Sequence, residues 1–207
     1  MKNIFLIIFV FLITSGFSQS NFKKFKQLSS PKKWWVIFHP FKAKKALEIS
    51  KEANHVSDSI RQTDLLDRDH AGGQVDAFRH AYWMARLRQE IGKPAARTLG
   101  KAHEKENYLM YKKRKLEEGI VPDQISSEMD LYNNDIGLTL TVKDCKTSKK
   151  GLIHKVANAI KKGKMKVIKK NKKGEFLTCD DKKIESKSLQ GKWKNNKCLV
   201  DSNYKRN

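Results

Sequence analysis

The stretch Gln74–Ile91, QVDAFRHAYWMARLRQEI, decides how this chain folds. At about 100° per residue, Asp76, His80, Trp83 and Leu87 fall in one stripe, with Met84 and Ile91 beside it. Phe78, Ala81, Tyr82 and Ala85 cover the opposite side. A helix that is apolar nearly all round is expected at the centre of a domain, walled in by its neighbours. This one also carries a carboxylate and an imidazole into the interior. Burying them costs free energy unless they are paired or hydrogen-bonded. The stripe is therefore either a structural polar network or a functional site.

Outward from that helix, the punctuation is clear. Gly92 stops it and Pro94 suits the first turn of the next, which is expected over 94–118 and ended by Gly119. Upstream, 41–60 reads as a helix with Ala46, Ile49, Ala53, Val56 and Ile60 inward, and a polar loop containing Asp69-His70 follows, expected to be solvated. Downstream, helices are expected over 124–144 and, shorter and basic, over 151–161. Val167-Ile168 and Phe176-Leu177 flank Asn171-Lys172-Lys173-Gly174 as a hairpin, and Asn195-Asn196 gives a weaker hairpin signal. The fold class is mainly α: a bundle of four main helices with a small, basic, β-hairpin-containing C-terminal tail. The expected divisions are a signal peptide at 1–18, a leader at 19–40, a helical core carrying the site at 41–144, and a Lys-rich tail at 145–207, dispensable for the core.

Two further helices repeat the oddity of the first. On 94–118, His103 and Glu106 share the apolar face of Leu99, Ala102 and Met110, while Glu104 points about 100° away. Face alone favours Glu106 as the inward carboxylate and leaves Glu104 open. On 124–144, Asp130, Asn133, Asn134, Gly137 and Thr141 run between two apolar stripes. Glycine in mid-helix costs about 1 kcal/mol against alanine, which implies close approach at Gly137 by a side chain, another helix or a ligand. Convergent histidines, carboxylates and carboxamides suit proton transfer near neutral pH or a divalent metal. The spacing matches neither a His-Glu-x-x-His zinc motif nor a calcium loop. Arg79 and Arg86 are expected to be exposed or salt-bridged.

The formal charge of +22 is unevenly spread. Residues 41–142 hold 17 basic and 16 acidic side chains, whereas 143–207 hold 21 basic and 6 acidic. Basicity therefore belongs to the tail, which either is merely solvated or contacts an anionic envelope surface, phospholipid or another polyanion. Its charge is almost all Lys, so sequence-specific nucleic-acid binding is not expected. Lys2, the apolar run Ile4–Ile13 and small residues before Gln19 read as a cleaved export signal, with a retained anchor as the alternative. No later segment reads as membrane-spanning, so a periplasmic or extracellular protein is expected. Cys179 and Cys198 are then the expected disulfide, leaving Cys145 over.

The motifs Asp76-Ala77-Phe78-Arg79-His80-Ala81-Tyr82-Trp83, Ala102-His103-Glu104 and Asp130-Leu131-Tyr132-Asn133-Asn134-Asp135-Ile136-Gly137 resemble a bacterial domain family of unknown function. Its members are helical and often exported or attached to toxin-like proteins. The resemblance runs from about Gly73 to Gly137. It implies a shared helical fold and favours Glu104 over Glu106, but supplies no reaction. The residues expected to carry chemistry are His80, His103, Asp76 and Asp130. Arg79, Trp83, Glu104, Glu106, Asn133 and Asn134 would bind or orient substrate, and a divalent metal is a possible cofactor. Two functions follow: a small hydrolase of an envelope or phosphate-containing substrate, or a non-catalytic envelope-associated binding protein with a structural polar core and a basic contact tail.

Overall fold

A computed structural model describes residues 19–116 and 121–206. The expected signal peptide and Gly119 lie outside the described residues, but the helix expected to run to 118 already ends at Lys112. In chain order the elements are α1 (Gln19–Gln27), α2 (Ser30–Phe38), α3 (Pro40–Arg61), α4 (Gln74–Ile91), α5 (Lys93–Lys112), α6 (Gln124–Thr139), α7 (Lys149–Lys161), β1 (Lys166–Ile168), α8 (Ser186–Leu189) and β2 (Leu199–Asp201). The protein is mostly helical, with one small antiparallel sheet near the C-terminus.

Helix α4 is the axle. It packs against α3, α5, α6 and α7, and buries residues on every side, from Val75 and Phe78 to Tyr82, Met84 and Leu87. Gly92 ends it at φ +83°, a left-handed conformation that costs glycine nothing, and also precedes α5, whose first turn holds Pro94. Helix α6 begins with a capping box in which the Ser126 amide donates to Asp123 Oδ1 and the Asp123 amide to Ser126 Oγ. It stops at Thr139 rather than near 144. Thr139, Thr141 and Val142 are β-branched, which weakens the helix. Gln89 takes over the released backbone: its carbonyl accepts from Asp144 and its side-chain amide donates to the carbonyls of Cys145 and Thr147.

Gly137 is where α6 meets α4. A Cβ there would stand 2.7 Å from Ala81 Cα and would overlap the Ala81 carbonyl oxygen. The close approach is thus by another helix, backbone to backbone, and it holds Asp130 and Asn134 level with Asp76 and His80. Gly137→Ala is expected to push the helices apart and destabilise by about 1–3 kcal/mol, as overpacking does, although alanine is the better helix former. A chemical denaturation curve for the variant checks this; an unchanged or higher midpoint would contradict it.

The ends of the chain belong to the same core. Trp35 is buried, and its Nε1–H lies 3.0 Å from the Ala95 carbonyl and 3.1 Å from Thr98 Oγ1, which docks α2 on α5. Residues 145–207, expected as an appendage, send Leu152, Val156, Ile160, Met165 and Val167 into one cluster with Phe78, Tyr82 and Leu87. Strand β1 pairs with β2, Val167 opposite Val200, and not with 176–177. Asn133 and the Gly72 carbonyl accept from the Lys166 and Ile168 amides along one edge of β1, and residues 199–201 fill the other. Phe176 and Leu177 keep only isolated bridges, to Lys170 and Lys183. Cys179 and Cys198 are disulfide-bonded with Cα atoms 5.0 Å apart, and Cys145 is free.

Several tail lysines are structural. Lys169, Lys170 and Lys197 are buried. Lys170 binds Asp69, Lys197 binds Asp123 and Lys169 binds Asp181. The Lys170 and Lys197 ammonium groups also sit 5.0 and 4.0 Å from the Phe176 ring centre, two cation–π contacts on one ring. Asp69 is therefore not solvated: Lys170 and Arg206 both hold it. Among the described residues, no helix is long and apolar enough to cross a membrane.

Candidate functional site

Helix α4 contributes Asp76, Arg79 and His80, with Asp76 and His80 one turn apart so that both face α6. Helix α6 contributes Asp130 and Asn134 at the same spacing. His80 is 1% exposed. Its Nε2 lies 3.2 Å from Asp130 Oδ1 and 3.6 Å from Asp76 Oδ1, and its Nδ1 lies 3.3 Å from Asn134 Oδ1. One atom each from Asp76, His80 and Asp130 falls within 4.8 Å of the others, a grouping able to hold a metal ion. Asp76 is fixed from two further sides, since Oδ2 accepts from the Gly72 amide at 2.8 Å and Oδ1 from Arg79 at 2.7 Å.

Burial holds the His80 imidazole well below its ordinary pKa, and the positive charges of Arg79 and His103 push the same way. The ring is therefore neutral at pH 7, with one N–H and one lone pair. If Nδ1–H donates to the Asn134 carbonyl, the Nε2 lone pair joins two carboxylates to make three acceptors facing one point, an arrangement that calls for a cation. If Nε2–H donates to Asp130, the Asn134 amide must turn so that its NH2, which is buried without a hydrogen-bond partner, meets Nδ1. Asn134 thus sets the tautomer in either case.

Gly72, Asp76, Arg79, Asp123, Asp130 and Lys197 all line one open cleft. His80 stands directly behind them. Of these, Gly72, Asp123 and Lys197 went unread in the sequence. Asp123 had a signal, as an acid at a helix start. Lys197 had none, being one lysine among many.

Helix α5 brings His103 to a ring-centre distance of 6.1 Å from His80, edge-on to Trp83 at 5.6 Å. His103 is not among the cleft-lining residues. Trp83 donates to Ser50 Oγ and so acts as a fixed wall for His103. Glu104 is buried and accepts from Asn107, whereas Glu106 is half-buried, ion-paired to Lys32 and 3.7 Å from His103 Nδ1. The inward carboxylate is Glu104, against the reading by face. Helix α5 is covered by α2 on one side and by α4 and α6 on the other, so it has two buried faces. Asn133 lies apart from the cluster and clasps the Lys166 backbone through both its amide atoms, each at 2.9 Å. Arg86 is salt-bridged to Glu52.

Burial raises the Glu106 pKa, but hydrogen bonds from His103 and Lys32 outweigh it and carry the carboxyl down to about 2. Its folded pKa lies below the unfolded value, so its stabilisation is present above about pH 4.5 and is lost as pH falls toward 2. Glu106→Gln is expected to lower the melting temperature at pH 7, with the gap to the parent narrowing between pH 4.5 and 2. Melting curves across that range check it; a gap that stays constant would contradict it.

A family model described as a domain of unknown function, DUF6973, matches residues 33–164, which include the whole Asp76–His80–Asp130 cluster. No curated protein and no solved structure matches the chain.

Proposed function

We propose a hydrolytic function for this chain, which belongs to the DUF6973 family: cleavage of a phosphate-bearing substrate at the Asp76–His80–Asp130 cluster, assisted by a divalent cation. One observation carries the reading, the convergence of an imidazole nitrogen and two carboxylate oxygens from two helices within 4.8 Å, next to a cleft. One nitrogen and two hard oxygens suit a borderline divalent ion such as manganese or zinc. A cation held there would polarise a phosphoryl oxygen and lower the pKa of a water molecule.

The other roles belong to the chain's own groups. Asp76 and Asp130 supply negative charge, and the Gly72 amide fixes the Asp76 carboxylate. Asn134 holds His80 Nδ1–H so that the Nε2 lone pair faces the cleft side. Arg79, on the cleft wall, is placed to bind an anionic group of the substrate. His103 is a positioning residue whose ring stands 6.1 Å from that of His80. The Cys179–Cys198 disulfide supports a site of action outside the reducing cytoplasm.

Calorimetric titration of the purified chain with manganese and zinc, together with release of nitrophenol from bis(p-nitrophenyl) phosphate, tests the reading. The expected result is one cation per chain and cation-dependent turnover, both lost in Asp130→Asn. Absence of stoichiometric cation binding and of turnover would overturn it. That outcome would leave the non-catalytic binding protein, which one observation favours: the ion pairs Lys170–Asp69 and Lys197–Asp123 are already closed around the cleft and its supporting loop.

A further inference from the structure

Trp35 turns α2 into a docked helix whose opposite face has no partner among the described residues. With Trp35 buried against α5, Trp34, Ile37 and Phe38 point outward at 60%, 52% and 73% exposure. The spacing i, i+3, i+4 makes them one face. Pro40 then starts α3, and Phe41 follows at 99% exposure. Trp34 and Phe38 stack with ring centres 6.0 Å apart, so two of the four side chains already form a single block. This is a contiguous apolar tip at the α2–α3 corner, unlike the isolated exposed side chains normal on a surface.

Its surroundings are mostly basic, although Glu48 pairs with Lys45 and Glu106 with Lys32. Between Gln19 and Leu47 the chain has eight lysines and no acidic residue. Lys33, Lys42, Lys44 and Lys45 lie within four residues of the tip, and the last three are exposed. Aromatic side chains at the centre with lysines around them are the composition of surfaces that rest in the interface of an anionic bilayer, apolar groups among the acyl chains and ammonium groups at the headgroups. Two copies facing each other through this tip would bring the lysine collars together, which disfavours self-association.

We propose that the α2–α3 corner is an interfacial docking surface for an anionic lipid membrane, inserted through Trp34, Ile37, Phe38 and Phe41 and held by the surrounding lysines. The contact lies at the N-terminal corner, where aromatic and basic groups coincide. In the C-terminal segment, by contrast, Lys169, Lys170 and Lys197 are buried in ion pairs. The proposal does not depend on hydrolysis at the cleft.

The test is co-sedimentation of the purified chain with phosphatidylcholine vesicles with and without phosphatidylglycerol, at low and high salt. Binding is expected only to the anionic vesicles and should weaken with salt. Phe38→Ser/Phe41→Ser should weaken it at least tenfold with an unchanged circular dichroism spectrum, because both side chains are exposed. Lys192→Gln/Lys194→Gln in the tail should leave it within twofold. Equal binding by the parent and the Phe38→Ser/Phe41→Ser variant would overturn the proposal. So would a parent that sediments as a dimer, with the serine variant a monomer, in the absence of lipid.

Discussion

Asp130→Asn is expected to lower cation-dependent turnover by a factor on the order of 100–10,000 while leaving the melting temperature unchanged or higher. The substitution keeps the shape of the side chain and removes one of two carboxylates that share the His80 Nε2 neighbourhood at 3.2 and 3.6 Å. Relieving that like-charge proximity favours the folded state, and groups kept for chemistry at a cost in stability show this trade-off. His80→Gln should behave alike. If the cluster were only a structural network, both variants would instead lose about 1–3 kcal/mol through buried groups left unpaired. Activity would then fall no further than the folded fraction. Thermal melts and turnover measured on the same samples separate the two outcomes.

A chain ending at Lys150 is expected not to fold. It lacks Leu152, Val156, Ile160, Met165 and Val167, all buried in the hydrophobic cluster that also holds Phe78, Tyr82 and Leu87. Truncating one large buried apolar side chain costs about 2–5 kcal/mol, and a domain has a margin of about 5–15 kcal/mol in all. Loss of five, about 10–25 kcal/mol, is enough to remove that margin. Far-ultraviolet circular dichroism should show a large loss of helix and no cooperative melt; a sharp transition near that of the parent would contradict it.

The helical axle was legible because its pattern is local: Gln74–Ile91 begins and ends as read, and its lack of a solvent face predicts its place at the centre. Gly137 was legible as a close approach, but not as to which partner. Helix face alone favoured Glu106 because a single helical wheel assumes one buried face, and α5 has two; the motif resemblance had pointed to Glu104, which is buried. The tail was misread for a different reason. Its short basic helix was expected over 151–161, but an expected helix does not say what its apolar side, Val156, Ala157 and Ile160, will meet. The buried lysines were illegible, since Lys170 and Lys197 differ from their solvated neighbours only in partners that lie 101 and 74 residues away in sequence.

Those long reaches also set a chronology. The loop that presents the Gly72 amide to Asp76 is itself held by the Ile168 amide, by Lys170 and by Arg206, and the Gln74 side chain bonds the Ser202 carbonyl across 128 residues. None of these clasps exists while the ribosome is still translating the middle of the message. Contacts of such sequence separation form late and slowly. A nascent or threading chain therefore carries α4 without a braced cleft, and the loop beside the cluster is secured only when residues 166–206 have emerged and folded back.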